Sequence, residues 1–342
     1  MIAVQTAEIV AKEGTGSYAG RRVLLLGGLG FIGSNLARAL VANGAEVSIL
    51  DNFLPDHGAN WFNLSGIREQ VQVHLGDLRS GEALAQLVQD QAVIFNIAAQ
   101  TSHSDSMLDP LLDLDINARG NLLLLEACRH HNPSARIVFV GTRAFYGTPA
   151  ALPVNEEAAL QPQDVYAANR LAAEQYHLIY HRHYGLPVTS LRLGNLYGPR
   201  AQMRHPRYNV LNFFIRQALE GRQIQVYGSG SQRRDYVYVA DACKALMQAG
   251  LDPAALGRVY NIGSGQAHGF LTLVEQIVEL AGSGSIQQVD WPAGAKAYDV
   301  GDFVMDISRI GRELGWVPDT ELNAGLSQTI EFYREHATHY WT

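Results

Sequence analysis

The sequence predicts an α/β protein, a doubly wound parallel sheet followed by a smaller α+β C-terminal lobe. Three observations carry that prediction. From Arg21 onward short aliphatic or β-branched runs alternate with amphipathic stretches, the order that builds a parallel sheet covered on both faces. The runs are apolar almost throughout, as strands buried on both sides must be. A glycine cluster, GGLGFIG at 27–33, joins the first run to the first amphipathic stretch.

The elements follow in order. RVLLLGG reads as a strand, and the stretch from Phe31 to Asn43 reads as a helix closed by Asn43-Gly44. EVSILD, VQVHLGD and AVIFNIAA are the next three strands. One long helix is expected from about Met107 to His131, stopping before Pro133. ARIVFVGT follows as a strand, then a helix from Val165 to Tyr184 and the strand segment LPVTSLRLGN. After Asn195 the pattern loosens. Residues 198–209 hold Gly198, Pro199 and Pro206 among several arginines, which suggests a functional loop. Helical stretches are expected at about 210–220, 240–250, 270–281 and 321–337. The organisation is therefore a tail at 1–19, a sheet domain at 20–195 and a lobe at 196–342. Segments of about 235–265 are expected to return to the sheet domain.

Composition excludes several function classes. The 342 residues suggest two domains at about 150 residues each. Hydrophobic residues make up 47% and charged residues 17%, which excludes a disordered chain. With 26 Lys and Arg against 33 Asp and Glu the net charge is −7, without the basic footprint of a nucleic-acid binder. Cys128 and Cys243 lie in apolar helical patterns and read as buried free thiols. No run approaches the length of a membrane span, and the N-terminal stretch lacks a basic region and an apolar core. A cytoplasmic setting is expected. The 12 histidines, among them His177, His181 and His183 on one helix, form no metal-binding pattern and read as solvated. No metal site is assigned.

Gly27, Gly30 and Gly33 take the GxxGxxG spacing of a Rossmann-like turn. Such glycines serve a tight turn, a close backbone approach to a pyrophosphate, and helix–strand packing. The helix start then presents free N–H groups and the positive end of its dipole. Asp51 ends the second strand about 20 residues on, where a carboxylate accepts from both ribose hydroxyls and repels a 2′-phosphate. That favours NAD over NADP. Asp77, ending the third strand, stands where an adenine edge is read, or else is a turn residue. Ala98 and Ala99 leave room at the end of the fourth strand for the cofactor. Asn117 is a polar residue in an apolar helix and could equally face solvent.

Thr142 ends the fifth strand, Tyr166 precedes Arg170 by one helical turn, and Asn195 and Tyr197 follow the sixth strand. Tyr166 and Arg170 share a helix face. A cation there is expected to lower the Tyr166 pKa and make the phenol a general acid/base near neutral pH.

With these motifs assembled, and with AAQ, NARGNLLLLEA, YAANRLAAE, RLGNLYGPR, VYGSGSQRRDYVYVADA and YNIGSG, the chain over about 20–340 resembles the extended short-chain dehydrogenase/reductase family. The similarity is to its NAD-dependent nucleotide-sugar epimerase/dehydratase branch. The resemblance implies a catalytic group of Thr142 and Tyr166, with Arg170 in the position where the family has lysine. Arginine keeps the charge but is bulkier and cannot give up a proton. The resemblance further implies cofactor contacts from Phe31, Ile32, Asn52, Leu78, Gln100 and Asn117. It implies substrate contacts from Arg143, Asn195, Asn212, Val226, Tyr227 and Arg234, the last suited to a diphosphate.

The family's dehydratases carry an acidic pair after the Ser/Thr and its decarboxylases a glutamate. Here Arg143 and Ala144 stand in those places. The implied activity is nucleotide-sugar 4-epimerisation, with a UDP-sugar favoured. The alternatives are a net nucleotide-sugar oxidoreductase or synthase, and an NAD-binding protein weakened by Arg170. A nucleotide-diphosphate sugar partner and a homodimer formed through the 107–131 and 165–184 helices are implied in the same way.

Overall fold

A computed structural model describes residues 17–54, 57–291 and 301–341. Seven parallel strands form the central sheet: β1 (Arg22–Leu26), β2 (Glu46–Asp51), β3 (Val71–Leu75), β4 (Val93–Asn96), β5 (Arg136–Thr142), β6 (Val188–Leu193) and β7 (Val259–Ile262). Their spatial order is β7-β6-β5-β4-β1-β2-β3. Leu24 of β1 pairs with Ser48 on one side and Ile94 on the other. The chain thus winds outward in both directions from β1, and the switch between β1 and β4 opens a crevice at the strands' carboxyl ends.

The helices, in chain order, are α1 (Phe31–Ala42), α2 (Gly81–Leu87), α3 (His103–Leu108), α4 (Pro110–Leu114), α5 (Gly120–His131), α6 (Val165–Tyr184), α7 (Val210–Leu219), α8 (Val239–Leu251), α9 (Phe270–Ala281), α10 (Ser308–Leu314) and α11 (Leu322–His336). Alternate residues of β1 feed two separate cores, as the period of a strand requires. Val23 and Leu25 pack with Leu36 and Leu40 of α1 and with Cys243 and Leu246 of α8. Leu24 and Leu26 pack with Leu84 of α2 and with Leu124, Leu125 and Cys128 of α5. Both cysteines are buried free thiols.

Local chemistry sets the helix ends that position the cleft. The Asp164 carboxylate caps α6 by accepting from Ala167 N at 2.8 Å, and Gly185 ends it in the left-handed region at φ +71°. The single helix expected over 107–131 is broken. Asp109, held out of the helical region by Pro110, caps α4, and Asp115–Arg119 form a π-helical turn before α5.

The lobe holds α7, α9 and α11 around its own core of Leu211, Ile215, Leu273, Ile277, Leu326 and Ile330. The parallel pair Gln223–Tyr227 with Ser285–Val289 flanks it. Within the expected returning segment, α8 lies on the sheet and β7 extends it. Asp235 ties the two parts together. Its buried carboxylate accepts from Ser264 N at 2.7 Å, Gly265 N at 3.2 Å and Met305 N at 3.1 Å. The described end of the expected tail docks on the sheet domain: Tyr18 is buried and its hydroxyl donates to Met247 O at 2.8 Å. The rest of that tail lies outside the described residues.

Candidate active site

At the carboxyl ends of the strands the crevice widens into a cavity of about 450 Å³. The turn after β1 lines one wall with Gly27, Gly30, Phe31, Ile32 and Gly33. The three glycines differ in what they make possible. A Cβ on Gly33 would lie 2.1 Å from Gly27 O, and one on Gly27, at φ +84°, would lie 2.9 Å from Ala98 Cα. Gly30 is different: its Cβ would meet no atom nearer than 3.8 Å. Two of the glycines are thus required by packing, and the third leaves open room at the mouth of α1. No side chain caps that helix, so its first N–H groups face the cavity with the dipole behind them.

Asp51 and Asn52 line the cavity from the end of β2, Asp77 and Leu78 from the end of β3, and Ala98 and Ala99 from the end of β4. The Asp51 carboxylate accepts from Leu29 N and Phe53 N, each at 2.9 Å. Burial raises its pKa, and those two bonds oppose the shift. Asp77 is committed to Arg79, which donates through Nε at 2.9 Å and Nη2 at 2.8 Å, with Asn52 adding a bond at 3.1 Å. The Arg79 bonds hold the Asp77 carboxyl down at about 2.

Thr142, Tyr166 and Arg170 meet on the opposite side, with Arg143 and Asn195 beside them. The Thr142 hydroxyl accepts from Ala144 N at 3.2 Å and lines the cavity beside the Tyr166 phenol. The expected lowering of the Tyr166 pKa is reversed. Burial raises it above the ordinary phenol value, and neither the Arg170 charge nor the Thr142 hydroxyl offsets that. Arg170 is 2% exposed, and its guanidinium donates to Ala98 O at 3.2 Å and to Val140 O. Burial draws its pKa down to about 10, opposed by the charges of Tyr166, Asp113 and Glu174, so it remains a cation at neutral pH. Arg143 Nε donates to Asn195 Oδ1 at 2.8 Å, and Asn195 Nδ2 donates to Asp235 O at 3.0 Å.

The remaining expected residues lie outside the cavity lining. Gln100 and Asn117 are buried behind it, both bonded to Asp113. Asn212 is buried in the lobe and donates to Gly198 O at 2.6 Å. Val226 is buried in the lobe core, and Tyr227 packs on Trp291. Arg234 sits on a short strand pair with His268 and Gly269, next to Tyr236, which does line the cavity. His177 is not solvated: it is buried, its Nδ1 bonds Ala173 O at 2.8 Å, and burial holds its pKa down at about 3. His103 and Tyr236 line the cavity without having been singled out in the sequence, whereas Arg207 and Tyr208 line it from the expected functional loop at 198–209. The signal for His103 was its place four residues past the fourth strand's expected small-residue end at Ala99, within AAQTSH.

A sequence model of the NAD dependent epimerase/dehydratase family matches residues 23–263. The UDP-glucose 4-epimerase of Mycolicibacterium smegmatis is 33% identical over 315 residues, 92% of this chain and 98% of that protein. The dTDP-glucose 4,6-dehydratase of Streptomyces niveus is 32% identical over 326 residues, covering 92% and 93%. The structure of UDP-glucose 4-epimerase from Thermus thermophilus in complex with NAD superposes with a TM-score of 0.81 at 32% identity, over 92% of this chain and 99% of that one. Sheet order, glycine turn, cleft and these similarities agree: the chain belongs to the NAD dependent epimerase/dehydratase family, whose cofactor is NAD.

Proposed function

We propose that the protein is a nucleotide-sugar 4-epimerase, with a UDP-sugar the favoured substrate, working through transient oxidation at C4. The observation that carries this reading is the meeting of Thr142, Tyr166 and Arg170 on the cleft lining, with no carboxylate at the two positions after Thr142. Relatives of nearly equal identity are an epimerase and a dehydratase, so the difference rests on the side chains beside the reacting sugar. Arg143 and Ala144 offer no acid/base pair for removing water across C5 and C6.

The residues fit NAD. The open space at Gly30 and the uncapped start of α1 suit a pyrophosphate, and the Asp51 carboxylate suits ribose hydroxyls. When bound, NAD supplies the hydride acceptor and donor at C4. Tyr166 takes the proton of the C4 hydroxyl as base and, once the keto-sugar has turned, gives a proton back as acid. Thr142 holds the same oxygen. Arg170 stabilises the phenolate by charge. Asn195, oriented by Arg143, and Arg234 are assigned to the diphosphate. Asn212 and Val226, committed to the lobe interior, shape that wall from behind.

Incubating the purified protein with UDP-, dTDP- and GDP-sugars and resolving the products tests the reading. A C4 epimer formed without added NAD supports it. A 4-keto-6-deoxy sugar, or NADH released in proportion to product, overturns it. The carbonyl bonds of Arg170 favour a second reading, a non-catalytic NAD-binding protein, for which neither the wild type nor Arg170→Lys would turn over any of these sugars.

A homodimer through α3–α6 belongs to the same proposal. Leu108, Leu111, Ile179 and Tyr184 stand exposed on those helices, an apolar surface of the kind that marks an interface. Sedimentation equilibrium of the wild type and of Leu108→Glu/Leu111→Glu checks it.

A further inference from the structure

His103 opens α3 on the cleft wall, and its ring stands edge-on to the Tyr166 ring, with centroids 5.1 Å apart and planes at 80°. Its Nδ1 lies 2.5 Å from Oδ2 of Asp164, the carboxylate that caps α6. An ionised carboxylate only accepts, so Nδ1 carries the proton and Nε2 presents its lone pair. Asp164 is held ionised. Burial raises its pKa, but the hydrogen bonds from His103 and the Ala167 N–H oppose it, and the carboxyl lies below the ordinary carboxylate range.

Tyr166 is 8% exposed and stands against a cation that cannot conduct a proton. Arg170 donates to two backbone carbonyls and keeps its charge. The His103 side chain is 51% exposed, so it reaches from the buried phenol to solvent. Several charged groups surround it. Asp164 and Tyr166 face it from α6. On its own helix Asp105 is met by Arg207 at 3.0 Å and by the Tyr208 hydroxyl at 3.5 Å. Asp113 of α4 acts on both Asp164 and Tyr166. Arg170 lies behind Tyr166. Arg207 pairs with Asp105, and Asp164 is the carboxylate that orients the imidazole.

We propose that His103, backed by Asp164, is the proton exit of Tyr166 and does the work that Arg170 cannot. The Tyr166 O–H bond breaks, and its proton passes to Nε2 of His103 across one water or sugar hydroxyl. A phenolate is left near Arg170 and an imidazolium against Asp164. The imidazolium then releases its proton to solvent, and no electron changes hands. The proposal rests on the reading of Tyr166 as the general acid/base, and the two fail separately.

The test labels tyrosine with ¹³C at Cζ and follows exchange of the Tyr166 hydroxyl proton in mixed H₂O and D₂O by NMR, with Tyr166→Phe giving the assignment. His103→Gln is expected to slow that exchange at least tenfold and free imidazole to restore it, whether or not the protein turns over a sugar. His103→Asn, which keeps a donor for Asp164 and so the cap of α6, is expected to slow it equally. In turnover, both variants are expected to lose about tenfold or more in kcat with KM little changed. Exchange and kcat unchanged in both variants overturn the relay. Full turnover by Tyr166→Phe instead overturns the reading of Tyr166.

Discussion

The guanidinium of Arg170 lies 4.4 Å over the ring of Phe139, between the end of β4 and the body of β5. From there it reaches Ala98 O and Val140 O together. A planar fork can hold a ring face and two carbonyls at once, whereas an ammonium offers one compact charge. Arg170 is therefore a brace between two strands as well as the charge beside Tyr166.

Arg170→Lys should accordingly weaken the fold while keeping the charge. Loss of one buried hydrogen bond is expected to cost about 1–3 kcal/mol, seen as a fall of a few degrees in Tm. Arg170→Met removes the charge and should raise the Tyr166 pKa further. Thermal unfolding of both variants, with pH–rate profiles, separates the two roles. Equal profiles for Lys and Met at position 170 would remove Arg170 from the electrostatics of Tyr166.

Tyr166 governs the pH dependence. Burial raises its pKa, with Arg170 and Thr142 acting in the opposite direction. As the base it works ionised, so kcat/KM should climb with pH on a limb that lies above neutrality. Thr142→Ala removes a hydroxyl that favours the phenolate and should carry this limb to higher pH, while Thr142→Ser restores it. A limb that stays in place in Thr142→Ala contradicts the assignment.

What the sequence revealed and what it hid divide along physical lines. The apolar run of β1 and the helical span of α6 over Val165–Tyr184 are local, and both were legible. The break at Asp109-Pro110 was also local, but the apolar run beyond it masked the turn. Val226 could have been placed by strand alternation, since burial along Gln223–Tyr227 alternates and turns its side chain into the lobe. Asn212 could not, because its partner Tyr333 lies 121 residues away. The Tyr166 pKa was misjudged because the sequence displays the cation at position 170 but not the depth of burial that outweighs it. His177 was hidden for the same reason: a histidine in a polar-looking helix is buried against Phe139 and accepts from Asn96 Nδ2 at 3.3 Å.

The ion pair of Glu174 and Arg192 joins α6 to β6 out of reach of solvent, at 2.6 Å, with side chains 0% and 5% exposed. Arg192 continues to the Tyr146 hydroxyl at 2.8 Å, which donates to Asn261 of β7 at 2.6 Å. Glu174→Gln leaves the buried guanidinium without its anion and should destabilise by about 3–5 kcal/mol. The paired replacement Glu174→Leu/Arg192→Met should cost less than either single change. Urea unfolding of the three variants measures this, and strict additivity would show that the pair is not coupled.

Gly30 and Gly33 should separate cofactor binding from folding. Gly30 sits at φ −80° and ψ −173°, which alanine adopts freely, and its added Cβ meets nothing nearer than 3.8 Å. Gly30→Ala should therefore keep the Tm of the cofactor-free protein. The methyl group would project into the space assigned to the pyrophosphate, so NAD affinity should fall at least tenfold. In Gly33→Ala the Cβ falls 2.1 Å from Gly27 O and 2.7 Å from Gly28 Cα. The backbone there must move, so this variant should lose stability with or without NAD. Calorimetric titration of NAD beside thermal unfolding of the cofactor-free variants decides the matter. Undiminished NAD binding by Gly30→Ala would place the pyrophosphate elsewhere in the cleft, because a methyl group at that point cannot share its volume with a phosphate held on the N–H groups of α1.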